Sequence, residues 1–260
     1  MNVREYHAMF RVEDRHWWYV GLRHRIMQVL QGSAPSDQQG RQELRVLDAG
    51  CGTGGFLTHL SRHDFHWGAG IDLVWDGLKL SQSRGLCNLT QGSVTALPFQ
   101  PGIFDAVVSI DVLCHTGVDE RSALQEYARV VRPGGVVIVQ VPAFEWLRSR
   151  HDIAVSTKRR YTRASVAALI GESGLAVRWI GYRNSLLFPL IAGWRLLTRA
   201  QAHAEEVESD VTPVPGLLNA LLTRVLLAES WLSSSGMQFP FGVSVFCVAA
   251  RPAEPVGAEA

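Results

Sequence analysis

The segment Val46-Leu47-Asp48-Ala49-Gly50-Cys51-Gly52-Thr53-Gly54-Gly55-Phe56 holds the residue types with the most chemistry to offer. An apolar run ends in a cluster of glycines, and a helix-like stretch follows. Glycines let the chain turn tightly and let a ligand approach the backbone, while the first N–H groups of the following helix point at that ligand. Asp72 closes the next apolar run, where its carboxylate is placed to accept hydrogen bonds from ribose hydroxyls. The two features together predict a pocket for an adenosine-type cofactor. Gly50, Gly52 and Gly55 also satisfy the G-x-G-x-x-G spacing of dinucleotide binders. Asp48 argues the other way. An anion beside a pyrophosphate site repels it, whereas a cofactor carrying a sulfonium and an ammonium tolerates or prefers an acid there. The charge pattern therefore favours S-adenosylmethionine, with a nicotinamide-dependent oxidoreductase as the rival reading.

Other clusters carry two readings each. Arg159 and Arg160 present guanidinium forks suited to a carboxylate or phosphate, or form a basic turn before a helix. Trp17, Trp18 and Tyr19 serve as an aromatic lid over substrate, or staple an N-terminal helix to the core. His59, His63, Asp64 and His66 include an i, i+4 pair at metal-ligand spacing, but no third ligand is evident. That stretch is read as surface, and no metal is expected.

The elements that must position these groups alternate regularly. Apolar runs at 45–49, 69–73, 106–110 and 136–141 predict strands buried on both faces, with a weaker strand at 87–91. Helix-like stretches lie between them at 56–62, 78–84 and 120–131. Such alternation implies a parallel sheet covered on both sides. Residues 13–31 predict an N-terminal helix, followed by a polar linker at 32–42. Toward the C-terminus come a helix at 162–173, a strand at 176–182 and a last strand at 243–250.

Residues 183–242 break the alternation and read as a helical cap. They hold an apolar stretch at 186–197, an acidic group (Glu205, Glu206, Glu208, Asp210), a Pro-rich turn and a helix at 217–232. On that helix Leu217, Leu221, Val225, Ala228 and Trp231/Leu232 form an apolar stripe. The stripe predicts a face that packs on the sheet, on a second copy or on a greasy substrate. A peripheral membrane contact is a further use of it.

Composition removes several classes. The chain has 260 residues, 47% of them hydrophobic, which suits one domain with a cap and excludes disorder. A net charge of +1 lacks the basic excess of a nucleic-acid binder, so no nucleic acid is expected as a partner. Cys51, Cys87, Cys114 and Cys247 stand far apart, which points to a reducing compartment rather than a disulfide framework. The N-terminus lacks the apolar core of a signal peptide, and no apolar run reaches spanning length. A cytoplasmic protein is expected.

Several segments then fall in a familiar order: VLDAGCGTGGF, GID, GSVTALPF, FDAVVSIDVLCH and EYARVVRPGGVVIVQVPA. From about residue 44 to 143 the chain resembles the class I S-adenosylmethionine-dependent methyltransferases of small-molecule type. The resemblance implies an α/β, Rossmann-like sheet of seven mostly parallel strands with helices on both faces. An N-terminal helical lid precedes it, and a helical insertion comes before a last antiparallel strand. The expected divisions are 1–43 (lid and linker), 44–182 (cofactor-binding core), 183–242 (cap) and 243–260 (last strand and tail).

By the same resemblance Asp48, Gly50, Gly52 and Gly54 cradle the methionine and ribose portions. Asp72 holds the ribose, Leu73 packs on the adenine, and Ser93 and Val94 face its edge. Many relatives carry Asp where Ser93 stands. Asp111 and His115 stand near the sulfonium and the substrate mouth. The flanks, Glu13 to Tyr19 and His151-Asp152 with Arg159-Arg160-Tyr161-Thr162, resemble a bacterial methyltransferase subgroup. There a Gly-His pair often precedes the double Arg; Ser156-Thr157-Lys158 stand here instead. Methyl transfer needs alignment and sometimes a base, for which His115 and His151 are candidates. Substrate-contact candidates are Trp17, Trp18, Tyr19, Arg159, Arg160 and Tyr161. The implied function is small-molecule biosynthesis, with methyl transfer to an O, N or C nucleophile on a hydrophobic or lipid-like acceptor and release of S-adenosylhomocysteine. A non-methylating cyclase or binding module on the same fold is the other alternative, and a homodimer through the cap is a candidate assembly.

Overall fold

Strand-forming runs lie at Arg45–Ala49 (β1), Trp67–Asp72 (β2), Leu89–Gln91 (β3), Phe104–Ile110 (β4), Val131–Pro142 (β5), Ala176–Arg183 (β6) and Ser244–Ala250 (β7). In the computed structural model, which describes residues 3–33, 38–63, 65–199 and 213–253, they form one sheet in the order β3-β2-β1-β4-β5-β7-β6. The first five are mutually parallel, and β7 runs antiparallel to both β5 and β6. The expected seven-stranded, mostly parallel architecture is present.

The period of two along β1 sends Val46 to one apolar layer and Leu47 with Ala49 to the other. Helices fill both sides: Trp17–Ser33 (α2), Gly55–Ser61 (α4) and Trp75–Ser83 (α5) on one face, Glu120–Val130 (α6) and Arg163–Glu172 (α8) on the other. Two of them start on side-chain caps, Asp119 accepting from Ser122 N (2.8 Å) and Thr162 from Ser165 N (3.2 Å). The remaining helices are Val3–Val12 (α1), Gln38–Gln42 (α3), Arg150–Ala154 (α7), Phe188–Arg199 (α9) and Gly216–Ser234 (α10). Among the described residues no helix is long and apolar enough to cross a membrane.

Three expectations are corrected. The helix predicted over 13–31 starts only at Trp17 (α2), and a separate helix absent from the sequence reading, α1, precedes it over Val3–Val12. Arg23 donates to the carbonyls of Glu13 (2.8 Å) and Asp14 (2.9 Å), replacing partners a continuous helix would have supplied. The linker carries the short α3. Of the uses expected for the α10 stripe, packing on the sheet is corrected: Leu217 is 92% exposed, with Leu221 and Trp231 also exposed, while Leu226 (1%), Glu229, Ser230 and Ser233 are buried. Gly21 of α2 admits Leu226, since a Cβ there would strike its side chain. Glu229 is drawn inward as well, accepting from the backbone N–H groups of Asn184 (2.6 Å), Ser185 (2.6 Å) and Leu186 (3.0 Å). Glu205, Glu206, Glu208 and Asp210 lie outside the described residues, as does Asp64.

At one edge of the sheet, β6 shifts register against β7 between Val177 and Trp179, with Arg178 exposed.

Candidate functional site

The chain leaves β1 through three glycines in the left-handed region, Gly50 (φ 95°), Gly52 (φ 55°) and Gly54 (φ 77°). A side chain at Gly50 would collide with Val112, in the loop after β4. The turn is pinned to β2: Gly50 N and Cys51 N donate to Ile71 O (2.8 and 3.0 Å), and Gly52 N donates to Asp72 Oδ2 (2.9 Å). Asp72 Oδ1 accepts from Val74 N (2.9 Å). Loop and carboxylate are thus one hydrogen-bonded unit at the C-terminal edge of the sheet, where open α/β sheets bind ligands.

The edge is rich in carboxylates. Asp48 is buried beneath the loop, and its carboxyl is pushed up to about 8 by burial first, then by the neighbouring Asp72 and Glu13 carboxylates. Asp111 follows β4 with φ 55°. Its Oδ2 accepts from Gln140 Nε2 (3.2 Å), while the buried Oδ1 has no partner among the described residues. Burial pushes it up to about 6, against the opposing pull of Gln140, Arg160 and Arg183. Among the described residues no Lys, Arg or His forms an ion pair with Asp48, Asp72 or Asp111. Acids short of cations suit a sulfonium and an ammonium and disfavour a pyrophosphate, so the donor set fits S-adenosylmethionine.

Sequence reasoning placed a helical lid in the N-terminal segment but gave Tyr6, Met9 and Glu13 no role at the cofactor site. Helix α1 lies across the loop: Tyr6 donates to Asp72 Oδ1 (3.0 Å), and Met9 lies over Gly52. Glu13, just beyond it, accepts from Thr53 Oγ1 and pairs with Arg84 Nη2 (2.7 Å). Arg84 also donates to Thr53 O (2.9 Å) and packs its guanidinium over Phe10 (4.5 Å). The available signal was spacing, because Tyr6, Met9 and Glu13 recur at i, i+3 and i+7.

The other expected residues divide. Leu73 is exposed beside the pocket, Ser93 Oγ accepts from Thr95 N (3.2 Å), and Val94 is buried in the core. Tyr19 is half-buried; burial, then Glu13 and Asp111, raise its phenol, which puts it at the acidic edge. Trp17 and Trp18 meet edge to face (5.8 Å) at the start of α2, where Trp17 N donates to Asn219 Oδ1 (2.9 Å). Nδ1 of half-buried His115 has no partner among the described residues, and burial lowers its imidazole. His151 is half-buried on α7.

Asp152 is engaged elsewhere than at an open site. It forms a buried fork with Arg160 (Nε–Oδ1 2.9 Å, Nη2–Oδ2 3.0 Å), and Arg160 also donates to Ala143 O (2.9 Å). Of the two readings of the arginine pair, the clamp loses Arg160, which is engaged inside the protein, while exposed Arg159 pairs with Glu120 (2.7 Å) over the Tyr161 ring. Tyr161 itself donates to Leu113 O (3.0 Å) and Glu120 Oε1 (2.5 Å). His59 and His63 stack on each other (4.1 Å), and burial, then His63, lowers His59 to about 4.

A parallel sheet with one reversed strand near the C-terminus, a glycine turn after β1 and an acid ending β2 define the class I methyltransferase fold. Residues 47–139 match the methyltransferase domain family. Residues 47–139 thus carry a methyltransferase domain on the class I fold. It is 33% identical over 155 residues to the probable tRNA methyltransferase 9B of Mus musculus, covering 57% of this chain and 31% of that protein. To the tRNA (carboxymethyluridine(34)-5-O)-methyltransferase of Arabidopsis thaliana it is 35% identical over 115 residues, 44% of this chain and 26% of that one. The chain thus spans about a third or less of these two curated relatives. Its fold is shared with a chain from the Haloferax volcanii complex of the Trm112 methyltransferase activator with a methyltransferase (TM-score 0.60, 18% identity, 98% and 96% of the two chains). The relatives' names stand against the expectation that excluded nucleic acid, which charge balance alone does not sustain.

Proposed function

We propose that the protein transfers a methyl group from S-adenosylmethionine to an O, N or C nucleophile on an apolar small-molecule or lipid-like acceptor. One observation carries the choice of acceptor. At the sheet edge that holds Asp111, aromatic rings form a connected wall: Phe144 stacks on Tyr182 (4.9 Å), Phe188 meets Phe144 (6.1 Å) and Trp146 (5.8 Å), and Phe241 lies against Phe188 (5.0 Å). Trp146 and Phe241 remain exposed. Such a surface gains free energy by covering apolar area and offers little to phosphates.

S-adenosylmethionine, when bound, supplies a methyl group already activated on a sulfonium. The chain's contribution is alignment, charge and exclusion of water. Asp72 would hold the ribose hydroxyls, the open backbone of the glycine turn would receive the methionine portion, and Asp111, joined by Asp48 once it ionises, would answer the positive charges. His115, whose burial favours the neutral imidazole, is available to take the acceptor's proton. Tyr19 would close the mouth from α2.

A second reading, a tRNA acceptor, is supported by the names of the relatives. The two separate in a transfer assay with isotopically labelled S-adenosylmethionine against apolar phenols, prenyl alcohols and fatty acids on one side and bulk tRNA on the other. Label in the organic phase supports the first reading. Label only in RNA replaces it with the second, and label in neither, with the cofactor bound, points to a non-methylating protein on this fold.

A further inference from the structure

A buried polar row crosses three strand ends at the acidic edge. Arg183, at the end of β6, donates from Nη1 to Gln140 Oε1 (3.1 Å) and from Nη2 to Gly21 O of α2 (3.1 Å). Gln140, 1% exposed on β5, donates from Nε2 to Asp111 Oδ2 (3.2 Å), and its carbonyl accepts from Asp111 N (2.8 Å). Chemistry fixes the direction of this row. A guanidinium only donates, so the oxygen of the Gln140 amide must face Arg183. The NH2 group must then face Asp111, which can answer only as an acceptor. One carboxylate oxygen is thereby engaged, and the other is buried and unpartnered among the described residues, on the residue just before Val112, whose side chain packs on Gly50. A staple between strands would not require that second oxygen to stay empty, since an unmet buried acceptor is costly.

We infer that Gln140 and Arg183 are positioning residues that hold Asp111 with Oδ1 presented to the positive charge of the methyl donor. The inference rests on the proposed use of S-adenosylmethionine and adds to it a device for telling the donor from its product. The donor is a cation at sulfur, and S-adenosylhomocysteine is a neutral thioether there, so a charge at Asp111 favours the first over the second. The ionisable groups around Asp111 are the Arg160 and Arg183 cations, the Asp152 carboxylate, the Tyr19 phenol and the Cys114 thiol. Burial also pulls Arg183 down to about 10, which leaves it cationic at neutral pH.

The experiment is calorimetric titration of the full chain with S-adenosylmethionine and with S-adenosylhomocysteine from pH 5 to 8. The preference for the cation should rise about tenfold as Asp111 ionises. Asp111→Asn should abolish that rise. Gln140→Leu removes a donor that favours the ionised form, so it should move the midpoint upward by roughly half to one pH unit. Arg183→Lys, which keeps the charge and loses the fork, should move it less. A folded Gln140→Leu protein with an unmoved midpoint reduces the row to a staple and overturns the inference. If Gln140→Leu does not fold, Gln140→Met and Arg183→Lys carry the same comparison. Wild-type protein that binds neither ligand overturns the proposed function itself, and this inference with it.

Discussion

Two groups of buried carboxylates contrast in the company they keep. In the C-terminal half, Asp152 is matched by the Arg160 fork and Ser149 N (2.8 Å), and Glu229 receives three backbone N–H groups. Burial pushes the Asp152 carboxyl up, but Arg160 and Ser149 more than offset it and leave it below its ordinary value. At the glycine loop, buried Asp48 and half-buried Asp111 have no ion pair among the described residues and are pushed up instead. Folding matched the first group in full; in the second, Asp111 keeps Gln140 alone and neither acid meets a cation among the described residues. A buried acid left without its cation is costly to the fold, and sites that bind ligands are where such costs persist.

The contrast breaks most visibly at the satisfied pair. Arg160→Met strands the Asp152 charge and should cost about 3–5 kcal/mol of stability, read by chemical denaturation; a loss below about 1 kcal/mol would mean that the pair is not enclosed as described. Glu229→Ala should follow at about 2–3 kcal/mol by orphaning backbone donors, with Glu229→Gln milder because one acceptor oxygen remains. At the glycine loop, Asp72 meets no cation but accepts from Gly52 N, Val74 N and Tyr6, so its loss costs folding and binding together. Asp72→Ala should weaken S-adenosylhomocysteine binding by about 1–3 kcal/mol, and unchanged affinity in the folded variant would show the pocket to be elsewhere.

Asp48 gives the gentlest test, through pH. Its folded value of about 8 exceeds its ordinary 3.8, so between those limits the folded chain holds a proton that the unfolded chain has lost. Stability from this group therefore falls as pH rises across that window, by at most about 1.4 kcal/mol per pH unit. In Asp48→Asn that slope should disappear from the pH dependence of the melting temperature. If both proteins keep the same slope, Asp48 ionises normally and the contrast loses a member.

What the sequence made legible was local. The turn after β1 advertises itself because glycines with positive φ and an apolar run must be adjacent, and Asp72 because it ends the next strand. The sheet was readable for the same reason: each strand's burial is written in its own residues. Pairings between distant residues were not. Glu13 meets Arg84, and Gln140 meets Arg183, only once the chain has folded, and no spacing rule connects them. The inward face of α10 was illegible for a different reason. Leucines surround that helix, so the apolar period fits more than one face. The choice fell to Glu229 and its three donors, and to the gap left by Gly21. Arg160 illustrates a third limit, since a double arginine reads alike whether it waits for an anion or already holds one.

The register shift in β6 has a consequence for solubility. An outermost strand offers unpaired N–H and C=O groups, to which a strand of another molecule can add. An irregularity between Val177 and Trp179 increases the local twist, and the Arg178 charge is exposed at the same place, so the outer row of backbone groups is interrupted where a flat ribbon would invite continuation. At the opposite margin β3 has only three residues and gives an incoming strand little length to pair with. Both margins of the sheet are thus built to end it, which guards a parallel-sheet protein against self-templated stacking.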